Sequence, residues 1–371
     1  MEIGVNDFRT ITRQSVSRPR PLYLSTAAQI GLVANPNIPD LVSQLLPASR
    51  SAHSARFLRR WLLSPPTHSL ADSFSSLCFS LRSGSLALPV TRPVPVGKIV
   101  SMILARQCNS GLFRDIEGIL RAVVDMLSRD HEGCMSSITL ALAELTSSES
   151  GFIVDRGTLH AAGIAIVKRI HNVIPDPVEM EDCVSQDAHD MIPETFFENN
   201  ELEFRGCVRP LHSEEALEAY GLVQTTAEAL SKAVKEDFQD SSRIHYDSFN
   251  NILTLREGSS KAPSDVEFKT AVDRYNKSIR DRLTTSKVSS ALSEYKAACV
   301  SCTKAVKKAL QKLSESLDPH IGHIIQAAHW CVILDTAVDH TRSSIQKGWI
   351  LPTLVNRTEG NGGFVMDLQV T

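Results

Sequence analysis

The stretch VSSALSEYKAACVSCTKAVKKALQKLSESL, residues 288–317, carries the strongest pattern in the chain. Its apolar residues Val288, Leu292, Tyr295, Cys299, Cys302, Val306, Leu310, Leu313 and Leu317 recur at steps of three or four, which keeps one face of an α-helix apolar. A long helix is predicted there. Asp318-Pro319 then fits either a kink or an N-cap with proline in the first turn, and Ile321, Ile324, Ala328, Cys331 and Val338 continue the stripe towards Gly348. Upstream, Ser213 followed by Glu214 and Glu215 reads as an N-cap with acids in the first turn, where the helix dipole favours them. Leu217, Tyr220, Ala227, Leu230, Val234 and Phe238 mark the stripe of the helix that follows.

Between these helices the period changes. Ile244 and Tyr246 alternate on one side of Asp247-Ser248-Phe249-Asn250-Asn251, and Leu253 and Leu255 on the other, which predicts a β-hairpin. Residues 257–286 are polar with mixed charge and no clear period. From Leu22 to about Gly206 the chain reads as helices separated by Pro and Ser clusters, among them Phe57-Leu58-Trp61-Leu62 stopping at Pro65-Pro66. The fold class expected is mainly α, with long helices around a small β-containing insertion, and no internal repeat.

Composition bounds the function. The chain has 371 residues, 42% hydrophobic and 22% charged, with a mean hydropathy of -0.08, which are globular values and exclude wholesale disorder and a multi-span membrane protein. A formal net charge of -3 excludes a whole-chain polycation, so any nucleic-acid surface is local. The longest candidate apolar run, Ala161 to Val167, falls short of the ~18 residues of a membrane span, so no membrane partner is expected. Eight irregularly spaced cysteines point to a reducing compartment. Arg9, Arg13, Arg18 and Arg20 hint at an organellar leader, against which stand Glu2 and Asp7; residues 1–21 are read as a flexible N-terminus.

No catalytic constellation is present. A phosphate loop GxxxxGK[ST] is missing, and Gly360-Asn361-Gly362-Gly363 lacks both the lysine and a following helix. Cys299-x-x-Cys302 with His320-x-x-His323 has the letters of a zinc site, but both cysteines fall on the core stripe. The roughly seventeen residues between the pairs would hold them some 25 Å apart at ~1.5 Å rise per residue, so no metal is assigned. Basic residues gather around the expected hairpin, including Arg256, Lys277, Arg280, Arg282 and Lys287, diluted by Asp265, Glu267, Asp273 and Asp281. Tyr246, Phe249, Phe268 and Tyr275 are too scattered in sequence to be read as a stacking platform for bases.

Several segments resemble the MutS family of DNA mismatch-repair proteins, most of all its plant organellar branch. They are Leu24-Ser25-Thr26-Ala27-Ala28-Gln29-Ile30-Gly31-Leu32, Ile38-Pro39-Asp40-Leu41, and the run from Phe57 to Pro66. Further along come Phe204-Arg205-Gly206, Ala227 through Phe238, Leu283 through Val288, and Ile333-Leu334-Asp335 with Trp349 and Pro352. The resemblance implies a helical lever domain over 22–206, a clamp-like arm and tip over 207–286, returning lever helices over 287–348, and a connection over 349–371 towards an ATPase domain. It implies duplex DNA and a homo- or heterodimeric partner as the binding partners, and a mitochondrial or plastid location, with the nucleus as alternative. ATP and magnesium belong to a complete family member; the phosphate loop is not among these residues, so no cofactor and no enzymatic activity are expected of them. Phe196-Phe197-Glu198 matches the letters of the family's mismatch-reading Phe-x-Glu wedge but stands in the wrong place. In this setting Arg243, His245, Lys261, Lys269 and Arg274 are the expected DNA-backbone contacts, which would position the chain without reading sequence. A helical scaffold without DNA binding, and a zinc protein, are the competing classes.

Overall fold

The computed structural model describes residues 21–83, 87–89, 93–131, 133–176, 191–210, 213–238, 244–256 and 266–350. The architecture is mainly α with one four-stranded antiparallel sheet. Twelve α-helices are found among the described residues, and the chain divides into two compact units.

The first unit takes its described residues from 21–96, 119–163 and 322–350. It contains α1 (Leu24–Gln29), α2 (Leu41–Leu45), α3 (Ala52–Leu63), α4 (His68–Ser83), α7 (Gly133–Ser150) and nearly all of α12 (Ile321–Gln346). Ala27, Leu32, Val42, Leu46 and Leu58 form a buried cluster. The turn after α1 needs glycine: Gly31 has φ +75°, and a Cβ there would lie 2.1 Å from the Pro39 carbonyl oxygen. Ser51 caps α3 by accepting from the Ser54 N–H, and the hydroxyls of Ser51 and Ser54 both donate to Asp335 of α12, at 2.9 and 2.5 Å. One carboxylate thereby fixes the start of α3 against the middle of α12.

Helix α12 departs from the one-sided stripe expected of it. Trp330, Cys331, Ile333 and Leu334 are all buried, and so are the polar Gln326, Thr336, Asp339, Thr341, Ser343 and Ser344. An 18-residue window of mean hydropathy 1.3 lies within the helical run Ser286–Gln346, a longer apolar stretch than the Ala161–Val167 run. Some 61% of that window is buried inside the protein, as in a core helix.

The second unit takes its described residues from 97–118 and 164–321. It includes most of α5 (Val96–Leu104), the start of α6 (Ser110–Ser128), most of α8 (Arg156–Val173), α9 (Glu194–Glu201), α10 (Glu214–Phe238) and α11 (Ser286–Leu317). Ser213 caps α10 as expected, accepting from the Ala216 N–H at 3.3 Å. Helices α10 and α11 pack along each other, and the predicted stripe of α11 is buried from Val288 to Leu317. A single 3-10 turn, Asp318–His320, follows, and Asp318 accepts from both terminal nitrogens of Arg106 at 2.6 and 2.5 Å.

The sheet consists of β1 (Ile244–Asp247), β2 (Ile252–Arg256), β3 (Phe268–Val272) and β4 (Ser278–Thr285), in the order β1-β2-β4-β3. The predicted hairpin is β1–β2. The second hairpin, β3–β4, falls in the stretch read as lacking a period. Its register shifts between Thr270 and Val272, and Asp281 of β4 takes a positive φ of 59°. That irregularity breaks the alternation that would have announced the strands. Thr285 ends β4 and begins α11: it accepts from the Val288 N–H as N-cap and donates to Asp237 of α10 at 2.5 Å.

Candidate nucleic-acid interface

The sheet has two chemically opposite faces, because directly paired residues share a side and successive residues alternate. Register pairs Ile244 with Leu255, Tyr246 with Leu253, and Leu255 with Leu283, and these define the apolar face. Leu253 and Leu255 are buried. Tyr246 meets Phe196 of α9 edge-on at 5.2 Å, and Phe196 in turn packs on Phe197 and on Tyr295 of α11. Asn199 donates to the Tyr246 hydroxyl at 3.3 Å, and the amides of Asn200 and Asn251 exchange hydrogen bonds at 3.1 and 2.7 Å. Phe196 and Phe197 are therefore an anchor for the sheet, both fully buried, and are not an exposed wedge.

Beneath this anchor lies a buried acid. Glu201 is 5% exposed and accepts from the Tyr295 hydroxyl at 2.9 Å. Burial raises its carboxyl above the usual range, against the hydrogen bond from Tyr295, which favours the charged form. Burial likewise raises the Tyr295 phenol, with the Glu201 charge adding to it. Cys299 and Cys302 lie on the same buried stripe, their thiols raised to about 11 and about 12 by burial. Among the described residues no group of three or more His, Cys, Asp or Glu is placed to hold a metal ion.

The opposite face is basic. His245 pairs with Thr254, Arg256 with Arg282, and Lys269 with Thr284, so all four basic side chains fall on one side. His245, Arg256 and Lys269 are exposed and Arg282 half-buried. The register puts His245, Thr254, Thr284 and Lys269 in one row across the strands, about 14 Å wide at ~4.8 Å per strand. The two arginines sit two residues further along the central strands. Register sets Arg256 directly opposite Arg282, two like charges side by side on the central strands. Among the described residues no carboxylate forms an ion pair with Lys269 or Arg282. Helix lysines of the same unit differ: Lys287, Lys307 and Lys308 pair with Glu236, Glu203 and Glu215.

Of the residues expected from sequence, His245 and Lys269 are thus brought onto one face. Arg243 and Lys261 lie outside the described residues. Arg274 stands in the β3–β4 turn, where its guanidinium lies 4.2 Å from the Phe249 ring centroid and 4.9 Å from that of Tyr275. Arg256 and Arg282 were counted in the basic cluster but not among the expected contacts; only strand register reveals that they are neighbours. In the first unit a groove of about 200 Å³ is lined by His53, Arg56, Arg60 and His329, and is a weaker candidate. Arg60 there is paired with Glu149, and neighbouring Arg59 with Asp40. His329 is held down to about 4, chiefly by burial and then by the Arg60 charge, so it is neutral near pH 7.

No protein-family model matches the chain. One curated protein does: "DNA mismatch repair protein MSH1, mitochondrial" of Arabidopsis thaliana is 28% identical over 398 aligned positions, covering 98% of this chain. The chain is similar to that mismatch-repair protein along nearly its whole length. It spans about a third of the length of that relative, 34%. The similarity to this relative therefore runs through the helices and the sheet alike and is not confined to one motif.

Proposed function

We propose that this chain takes part in DNA mismatch repair or organellar genome maintenance, and that the basic face of its sheet grips the phosphate backbone of duplex DNA. The observation that carries this reading is the cluster His245, Arg256, Lys269 and Arg282, gathered from all four strands on one face around the buried Thr254. Two of these are adjacent arginines. A polyanion laid across them would meet both guanidinium groups at once and release counterions. Arginine also suits phosphate through its planar, bidentate donor geometry. Such contacts hold the duplex in place without reading its sequence.

In this reading the apolar face and α9 transmit the position of the sheet to the long helices α10 and α11, and the described residues perform no bond chemistry. Nucleotide-driven switching and dimerisation belong to the MutS assembly as a whole. The similarity to a mitochondrial protein supports an organellar location.

The test is binding of the purified chain to matched and mismatched duplexes over a range of salt. The expected result is salt-sensitive binding without mismatch preference, with a log–log slope near -3 for about three phosphates neutralised at ~0.9 each. Absence of binding at low salt would leave the chain as a helical scaffold.

A further inference from the structure

We infer that the two hairpin turns of the sheet form a platform on which an unpaired base of single-stranded nucleic acid stacks. This rests on the DNA-binding reading of the same sheet and adds a second kind of contact to it. The turns share a pattern: Asp247-Ser248-Phe249-Asn250 in the first and Asp273-Arg274-Tyr275-Asn276 in the second, an aspartate with an aromatic residue two positions on and an asparagine next. In each turn the aspartate fixes the backbone beneath the ring. Asp247 accepts from the N–H groups of Phe249 and Asn250 at 3.0 and 3.2 Å, and Asp273 from those of Tyr275 and Lys277, both at 2.8 Å.

The rings so displayed are not used in packing. Phe249 is 68% exposed and Tyr275 65%, although burying such rings is among the largest apolar gains available to a fold. Arg274 joins them, with its guanidinium within cation–π range of both. Rings separated by 26 positions in sequence are thereby gathered around one positive charge. Single exposed apolar residues are ordinary on protein surfaces, but two aromatics sharing one arginine are a recognisable stacking site.

Charge selects the occupant. Over described residues 244–256 and 266–285 there are six Lys and Arg against four Asp and Glu. A ligand that offers a flat π-face together with a negative group within reach of Arg274 is a nucleotide, and its base must be free of a duplex stack to lie on a protein ring. Stacking of this kind is tolerant of base identity, so the platform would recognise the single-stranded state and not a sequence.

The test compares the full chain on a blunt duplex and on the same duplex carrying a short oligothymidine tail. The wild-type chain is expected to prefer the tailed form. Phe249→Ala with Tyr275→Ala should lower tailed-duplex affinity about tenfold, the order of one lost base stack, and leave blunt-duplex affinity unchanged. Phe249→Trp is expected to keep the preference, which guards against a trivial folding defect, and thermal melts of each variant check the same point. Equal binding of both probes by the wild type, or a preference that survives the double alanine variant, would overturn the platform. Arg256→Glu with Arg282→Glu separates the two ideas: the phosphate grip predicts weaker binding of both probes. If only the aromatic variant has an effect, the grip fails and the platform stands.

Discussion

The two faces of the four-stranded sheet are built from alternate residues of the same strands, yet they meet opposite fates. On one side Tyr246, Leu253 and Leu255 are tied to α9 through Phe196 and a pair of asparagine amides. On the other, His245, Arg256 and Lys269 are exposed and Arg282 half-buried on the opposite side of the same strands. In β2 the step from Leu255 to Arg256 crosses from one role to the other. The lesson is that structure and binding are separated here by strand period and not by region, so neighbouring substitutions should fail in different assays.

The comparison breaks most sharply at its apolar side. Leu253→Ala should cost about 2–5 kcal/mol of stability in urea unfolding, since it opens a cavity at a fully buried position. A loss well below that range would mean that the face is not a core. Tyr295→Phe comes next: it leaves the buried Glu201 carboxylate without its phenol donor and should cost about 1–3 kcal/mol.

A smaller effect concerns pH. Because burial raises the Glu201 carboxyl, the folded chain holds this proton at pH values where the unfolded chain, with the ordinary glutamate value of 4.5, has released it. Stability therefore falls as pH rises from that value through the raised folded one. Glu201→Gln should remove this contribution, so the stability difference between wild type and Glu201→Gln should fall as pH rises through this window; a difference that stays constant across it would contradict the assignment. The smallest expected effect lies on the basic side. Lys269→Ala should leave stability within about 0.5 kcal/mol and reduce the salt slope of DNA binding by about one, as for a single phosphate contact.

Much of the architecture was legible before the structure, and the reasons are local. The α11 stripe is readable because only one side of that helix is buried, whereas α12 is buried on more sides, and Gln326, Thr336 and Asp339 occupy positions that a stripe would assign to solvent. The β1–β2 hairpin is marked by clean alternation about Asp247–Asn251. The β3–β4 hairpin is not, since the irregularity at Asp281 breaks the alternation and Thr270 is exposed on the face shared with Leu283. The site was legible only as a surplus of basic residues. That Arg256 and Arg282 lie side by side is a consequence of pairing between strands far apart in sequence, and the meeting of Phe249 and Tyr275 at Arg274 has no signal in the sequence at all.

The most direct measurement is the salt dependence of duplex binding by the wild-type chain beside Arg256→Glu with Arg282→Glu. The variant replaces one like-charge pair by another, so it is expected to melt close to the wild type, and to lose about two from its log–log salt slope. An unchanged slope in a folded variant would contradict the phosphate-gripping role of this face.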